Sequence, residues 1–260
     1  MTNLDKLKFF FNNNGYVLLE NYLSSDLFLK YSEKIQSEVN SEYANNLNEI
    51  KKLGGYLTGN LDLIPSEDIY LIWEELRKNN FKEIFKLLID DNLEDYEITF
   101  RGNISIPKKG SQFFHTDGPI KSRKILIGIA ISNVDEIDGP TVIAPGTHKK
   151  QIPFWKFYLT KFFRNKKKII LKKGDIFIRE SHIWHKGSKN KSNKLRTQLL
   201  LVLTKKKNNE KPIKQIFVKS IKFGPNMFGT SFKEKIKEFL SVYFSIIFIL
   251  SRIFMSIFKK

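Results

Sequence analysis

From Tyr96 onward the chain is a succession of short runs rich in β-branched and aromatic residues, each closed by glycine, proline or asparagine. This rhythm limits the possible folds more than any other feature. The runs are Glu97 to Ile106, Gln112 to His115, Lys124 to Ser132, Thr141 to Ala144, Ile169 to Leu171, Ile176 to Ile178, Leu195 to Thr204 and Gln215 to Phe223. Many short strands with no repeat of fixed period predict a β-sandwich or jelly roll. Ahead of them the period is helical. Asp5 to Phe11 reads as a short helix and Tyr16 to Leu19 as a strand, and Ser24 or Ser25 can cap a helix in which Leu27, Tyr31, Ile35 and Val39 share a face. Residues 41–66, polar and glycine-bearing, read as loop. Ile69 to Asp90 reads as one or two helices, with Ile72, Leu76, Phe81, Phe85 and Leu88 on the apolar side. The expected class is mostly β (α+β), with the early helices packed on one outer sheet.

With 260 residues and 41% hydrophobic content the chain can build one good core. The expected organisation is a body over 1–205, interrupted by a basic, lid-like insertion at 149–173, and a basic extension over 206–260. There is no cysteine, so disulfides and thiolate metal sites are excluded and any metal must use imidazole and carboxylate. Asn12 to Gly15 interrupt the apolar run Phe9 to Phe11 before a signal-peptide core can form, so a cytoplasmic setting is expected.

Two stretches carry chemistry. In Phe113-Phe114-His115-Thr116-Asp117-Gly118-Pro119, an extended backbone would point His115 and Asp117 to one side and Thr116 to the other. In Gly174 to Arg196 a turn opens an aromatic run ending at His185, a polar loop follows, and a second apolar run begins with Arg196. Two imidazoles and one carboxylate make a facial triad, the ligand set of non-heme Fe(II) oxygenases, which leaves positions open for a co-substrate and dioxygen. Arg196 suits a carboxylate, because guanidinium keeps its charge and meets it through two parallel hydrogen bonds. His182 is the other candidate for the distal ligand; three residues from His185 in one strand it would face the opposite side, and the spacing to Gly174-Asp175 and Arg196 favours His185. His148 reads as a structural turn residue and Asp175 as a turn carboxylate. Arg101 and Asn103 could reach a co-substrate or lie on a solvated edge.

The order HxD, later His, then Arg eleven residues on resembles the phytanoyl-CoA dioxygenase-like family of Fe(II)/2-oxoglutarate oxygenases. The likeness extends to Gly139-Pro140-Thr141-Val142-Ile143-Ala144-Pro145-Gly146-Thr147-His148, to Gly174-Asp175, and to Asn190 and Ser192, and spans roughly Phe10 to Thr204. It implies a double-stranded β-helix (jelly roll, cupin-like), iron held by His115, Asp117 and His185, and 2-oxoglutarate anchored by Arg196 with Thr141 and Ser188 as helpers. The implied reaction consumes O2 and 2-oxoglutarate and hydroxylates a small-molecule or lipid-linked substrate. Two departures stand out. The family often has a hydroxyl two residues after the distal histidine, where this chain has Gly187, and many members carry a tryptophan within the stretch that is Gly128 to Ile131 here. The family's halogenases have a small residue in place of Asp117, so a carboxylate there implies hydroxylation or a related oxidation. The contrasting reading is a non-catalytic jelly roll that binds an anionic surface.

Charge is the other strong signal. The formal net charge is +18, yet residues 149–173 contain ten Lys/Arg and no acid, and 205–260 contain thirteen basic and three acidic residues, so those two segments carry all of it. With seven arginines and no nucleic-acid-binding motif, nucleic acid is an unlikely partner. The C-terminal segment reads as one amphipathic helix over 233–258, with Glu234, Lys237, Glu238, Ser241, Ser245, Arg252, Ser256 and Lys259 on one stripe. A helix of this kind with basic ends suits the plane of an anionic membrane better than a span, giving a peripherally attached protein; a helix packed on the domain's own sheet or on a twin subunit is the other reading.

Overall fold

The computed structural model describes residues 2–118, 124–206, 215–226, 228–229 and 231–258. The chain opens with α1 (Asn3–Asn14), started by a reciprocal Thr2–Asp5 capping box and ended by Gly15 at φ +78°. There follow β1 (Tyr16–Leu19), α2 (Asp26–Asn45), α3 (Leu47–Ile50), β2 (Asn60–Ile64), α4 (Asp68–Lys78) and α5 (Phe81–Ile89). The strand-rich half contains β3 (Tyr96–Ser105), β4 (Lys124–Ala130), β5 (Thr141–Ala144), α6 (Phe154–Thr160), β6 (Lys167–Ile169), β7 (Ile176–Glu180), β8 (Trp184–Gly187), β9 (Arg196–Lys205) and β10 (Lys222–Gly224). Two helices close the chain, α7 (Phe232–Tyr243) and α8 (Ser245–Phe258).

The strands form two antiparallel sheets, one in the order β1-β7-β4-β9-β3-β2-β10 and one in the order β6-β5-β8. They face each other across a cavity, and the fold is a double-stranded β-helix. Strand alternation explains the layering. Ile125, Ile127 and Ile129 of β4 and Leu199, Leu201 and Leu203 of β9 point outward into a core shared with the N-terminal helices. Arg196, Gln198, Leu200 and Val202 alternate with them and line the cavity. Phe28 of α2, Trp73 of α4 and Phe81 and Phe85 of α5 seal the outer face, and each large apolar side chain buried there contributes about 1.5–3 kcal/mol.

Four expectations need correction. Residues 41–66 are not loop throughout: α2 runs to Asn45, and β2 pairs with β3, sending Leu61 and Leu63 into the core and Asn60 and Asp62 toward the cavity. Its polar alternate positions disguise it as a loop. Gln112 to His115 is no regular strand but an extended segment laid against β8, and only Lys222–Gly224 of the 215–223 run forms a strand, with a single parallel bridge from Val218 to Ser66. Gly174 to His185 is two strands, because the chain turns at Ser181–Ile183 to cross from the large sheet to the small one, and the Ile183 N–H donates to the Glu180 carbonyl.

The C-terminal helix is also two helices, bent by 119° at Phe244. The Glu238 carboxylate draws α7 inward, accepting from Gly55 N (2.9 Å), Thr58 N (3.0 Å) and Thr58 Oγ. Phe248 and Arg252 draw α8 a different way, onto Phe113 and Phe154. Residues past 205 are thus woven into the body, since β10 adds to the β2 edge of the large sheet. Lys259 lies outside the described residues.

Candidate metal centre

A cavity of about 590 Å³ opens between the sheets. The segment before Asp117 forms one wall. His115 and His185 exchange backbone hydrogen bonds of 2.9 Å in both directions, Gln112 N–H donates to the Gly187 carbonyl, and Asp117 N–H donates to that of Ser181. Pairing with β8 therefore sets the register that brings the two histidines together. The chain then bends at Asp117–Gly118, Gly118 taking φ +100°, and Thr116 also borders the cavity instead of pointing away.

Each imidazole is held by its own backbone: Nδ1 of His115 lies 2.9 Å from the Phe113 carbonyl and Nδ1 of His185 lies 3.0 Å from that of Ile183. An Nδ1–H donated in this way leaves Nε2 with a free lone pair, the usual arrangement behind metal-binding histidines. Both Nε2 atoms face Asp117, at 3.7 Å from Oδ1 for His115 and 3.4 Å from Oδ2 for His185. One potential ligand atom from each of the three residues falls within 4.8 Å of the others, a spacing that fits a single ion.

Charge favours the same occupant. Burial, aided by the Arg179 guanidinium, pushes His185 down to about 3, so its ring is neutral near pH 7. Burial alone would raise Asp117, but Arg179 above all, then His185 and His115, outweigh it and hold the carboxyl well below the usual range. Neutral imidazole and ionised carboxylate are the protonation states a divalent cation needs. Arg179 was not foreseen. It is 7% exposed, donates Nη2–H to Asp117 Oδ2, and its Nη1 is buried with no partner among the described residues. Strand alternation was the available signal, since Arg179 stands two residues after Phe177 on the cavity face of β7.

Arg196, the first residue of β9, is 3% exposed. Its Nη2–H donates to Asn103 Oδ1 at 2.7 Å, and its Nε is buried and unpartnered among the described residues. Burial lowers it to about 10, with Asp138 opposing, so it remains a cation near pH 7. A buried guanidinium with an unused donor calls for an anionic acceptor from the cavity. Asn190 explains its placement: Nδ2 donates to the Ser105 and Lys194 carbonyls while Oδ1 accepts from Ser192, which fastens the loop before β9 to the end of β3.

The remaining expected residues divide. Thr141 and Asn103 stand in the cavity wall, as does Arg101, whose guanidinium pairs with Asp62 at 3.3 Å. Ser188 does not line the cavity; its hydroxyl donates to the Pro140 carbonyl, and Gln112, which accepts from Gly187 N–H, occupies the wall nearby. His182 sits in the turn between sheets and outside the cavity wall. Asp175 accepts from Asn21 N and Lys172 N, the work of a turn carboxylate. His148 Nε2 meets the Asn12 carbonyl, tying its turn to α1, and leaves so little room that a Cβ on Gly15 would come within 2.4 Å of its ring.

No curated protein sequence matches the chain. Among solved structures it is similar to the epimerase SnoN in complex with Fe3+, alpha ketoglutarate and nogalamycin RO (13% identity, 78% of this chain and 83% of that one, TM-score 0.55). It is similar as well to the alpha-ketoglutarate-dependent carbocyclase SnoK from nogalamycin biosynthesis (14%, 79% and 84%, TM-score 0.55). AviO1 from Streptomyces viridochromogenes Tue57 shares the fold over 82% of this chain and 99% of its own, at 10% identity and a TM-score of 0.60. At these identities the likeness is one of fold. The sequence match is to the phytanoyl-CoA dioxygenase (PhyH) family over residues 102–198, a segment that contains His115, Asp117, His185 and Arg196 together, and over that segment the chain is similar to this family.

Proposed function

We propose that the protein is a non-heme Fe(II) oxygenase that couples oxidative decarboxylation of 2-oxoglutarate to hydroxylation of an organic small molecule. The observation that carries this reading is the pairing, in one cavity, of the His115, Asp117 and His185 cluster with a buried arginine whose Nε has no acceptor among the described residues. Nε2 of His115, Nε2 of His185 and the Asp117 carboxylate would hold the iron. Arg196, steadied by Asn103 and with Thr141 in the same wall, would take the distal carboxylate of 2-oxoglutarate. When bound, iron and 2-oxoglutarate supply dioxygen activation, with succinate and CO2 as products.

The chain's own share is placement and shielding. Arg179 fixes the Asp117 carboxylate, the two backbone carbonyls orient the imidazoles, and the two sheets wall the cavity. The complete carboxylate at Asp117 favours hydroxylation over halide transfer. Epimerase and carbocyclase chemistry among proteins of this fold makes the product the decisive readout. A purely binding jelly roll has no use for these four groups together, and nothing supports that reading.

Purified protein given Fe(II) is expected to bind one equivalent and convert 2-oxoglutarate to succinate, and with its substrate to yield a product one oxygen atom heavier. Ala at His115, Asp117 or His185 should abolish iron uptake and turnover. Turnover kept in His185→Ala but lost in His182→Ala would move the distal ligand, and succinate with an isomerised product would replace hydroxylation by epimerisation.

A further inference from the structure

Two residues of the polar stripe, Arg252 and Ser256, which an amphipathic reading would turn toward water, face the protein in α8 beside Phe248, Ile249 and Ile253. The Arg252 guanidinium lies 5.1 Å from the Phe154 ring centre and 5.7 Å from that of Phe113. Ser256 Oγ accepts from Trp155 N–H at 3.0 Å, and Phe248, 5% exposed, packs on Phe113. The helix therefore presents Ile246, Ile247, Leu250, Phe254, Met255 and Phe258 outward, with Ile246 73% and Phe254 65% exposed. On the neighbouring α6 the chain continues into a short 3-10 turn at Lys161–Phe163, where Phe163 is 91% exposed. Scattered surface apolar residues are ordinary; a contiguous row of large ones along one exposed helix face is not.

We propose that the outward face of α8 docks in the interface of an anionic membrane. Length decides against a span. Fourteen residues reach about 21 Å, against about 30 Å of hydrocarbon. No single described helix is long and apolar enough to cross, and α7, which with α8 could pass by composition, is fastened to the body by the buried Glu238 carboxylate. Charge decides between a lipid surface and a second copy of the chain. Lys166, Lys167 and Lys168 follow the α6 turn and Lys233 and Lys235 stand on α7, all exposed, in the two segments that carry the whole net charge. Self-association through α8 would set these lysines against their copies, whereas lipid phosphates and carboxylates complement them. Leu, Ile, Phe and Met on one exposed face, in a chain whose excess lysines lie in the α6 and C-terminal segments, suit an in-plane interfacial helix.

The test is co-sedimentation of the full chain with phosphatidylcholine vesicles made with and without phosphatidylserine, alongside a Leu250→Glu/Phe254→Glu double variant. Both changes lie in solvent, so the variant should fold, and its iron uptake, measured without vesicles, should match the parent whether or not the oxygenase reading holds. Expected are binding that depends on phosphatidylserine and a loss of about tenfold or more in the variant. Parent and variant partitioning alike, or no binding to either vesicle, would overturn the proposal; so would light scattering that finds a dimer in the parent and a monomer in the variant, which would assign the face to a second copy.

Discussion

Arg179 and Arg196 are both buried cations in one cavity, and their partners separate their duties. Arg179 donates to the Asp117 carboxylate, the proposed iron ligand, so Arg179→Met should leave Asp117 poorly oriented and weaken iron about tenfold or more by titration, with little change in 2-oxoglutarate affinity at saturating metal. Arg196 lines the cavity, and its buried Nε has no acceptor among the described residues. In Arg196→Lys the charge stays and the planar fork is lost, so affinity for 2-oxoglutarate should fall about tenfold while iron binding persists; unchanged affinity would remove Arg196 from that role. Asp62 supplies a pH test. Burial raises it to about 6, with Arg101 opposing and the Asp117 charge adding, against an ordinary 3.8. A folded value above the unfolded one means that its contribution to stability is complete below about pH 4 and is lost as pH rises through about 6. Urea midpoints of the parent should therefore fall relative to Asp62→Asn between pH 5 and pH 8. The Arg101 ion pair forms only with the ionised carboxylate and is already counted in that raised value, so parallel curves would refute the account.

At the scale of elements, period was the most readable property and direction the least. β3, β5 and β9 lie within a residue or so of where the β-branched and aromatic runs put them; in β3 the core-facing Tyr96, Ile98, Phe100 and Ile104 alternate with the cavity-facing Thr99, Arg101 and Asn103. β2 escaped notice since Asn60 and Asp62 face the cavity and its five residues read as polar loop. The triad was legible from HxD and the distal histidine, whereas Arg179 was not, because a lone arginine in a strand carries no mark of the carboxylate 62 residues away in sequence. For α8 the hydrophobic pattern put the polar stripe toward water, whereas Arg252 and Ser256 turn inward with Phe248, Ile249 and Ile253, Arg252 being received by the rings of Phe113 and Phe154. α7 is secured by one residue. Glu238→Gln leaves a single acceptor oxygen where the carboxylate serves two backbone N–H groups, so it should cost about 1–3 kcal/mol in denaturant unfolding. A smaller change would show that α7 is held by its apolar contacts instead.

Across the whole molecule, the ligand cluster joins segments far apart in the chain, and occupancy should tell on global stability. Ligands that bind only the folded state raise it by about 2.7 kcal/mol at a hundred times their dissociation constant. Melting of the parent should accordingly rise with Mn(II), a redox-silent stand-in for iron, and again with 2-oxoglutarate, while Asp117→Ala should respond to neither. Phe113 adds a longer reach. Its ring lies 5.9 Å from that of His115 and 5.2 Å from that of Phe248, so one side chain is shared by the metal segment and the outermost helix. Free energies around a closed cycle must sum to zero, so whatever factor a lipid surface imposes on metal affinity through that shared ring, metal must impose on lipid affinity in return. Vesicle binding measured with and without Mn(II) would read this factor directly, and the proposed metal centre would then act as a sensor of where the protein is as well as a place where chemistry occurs.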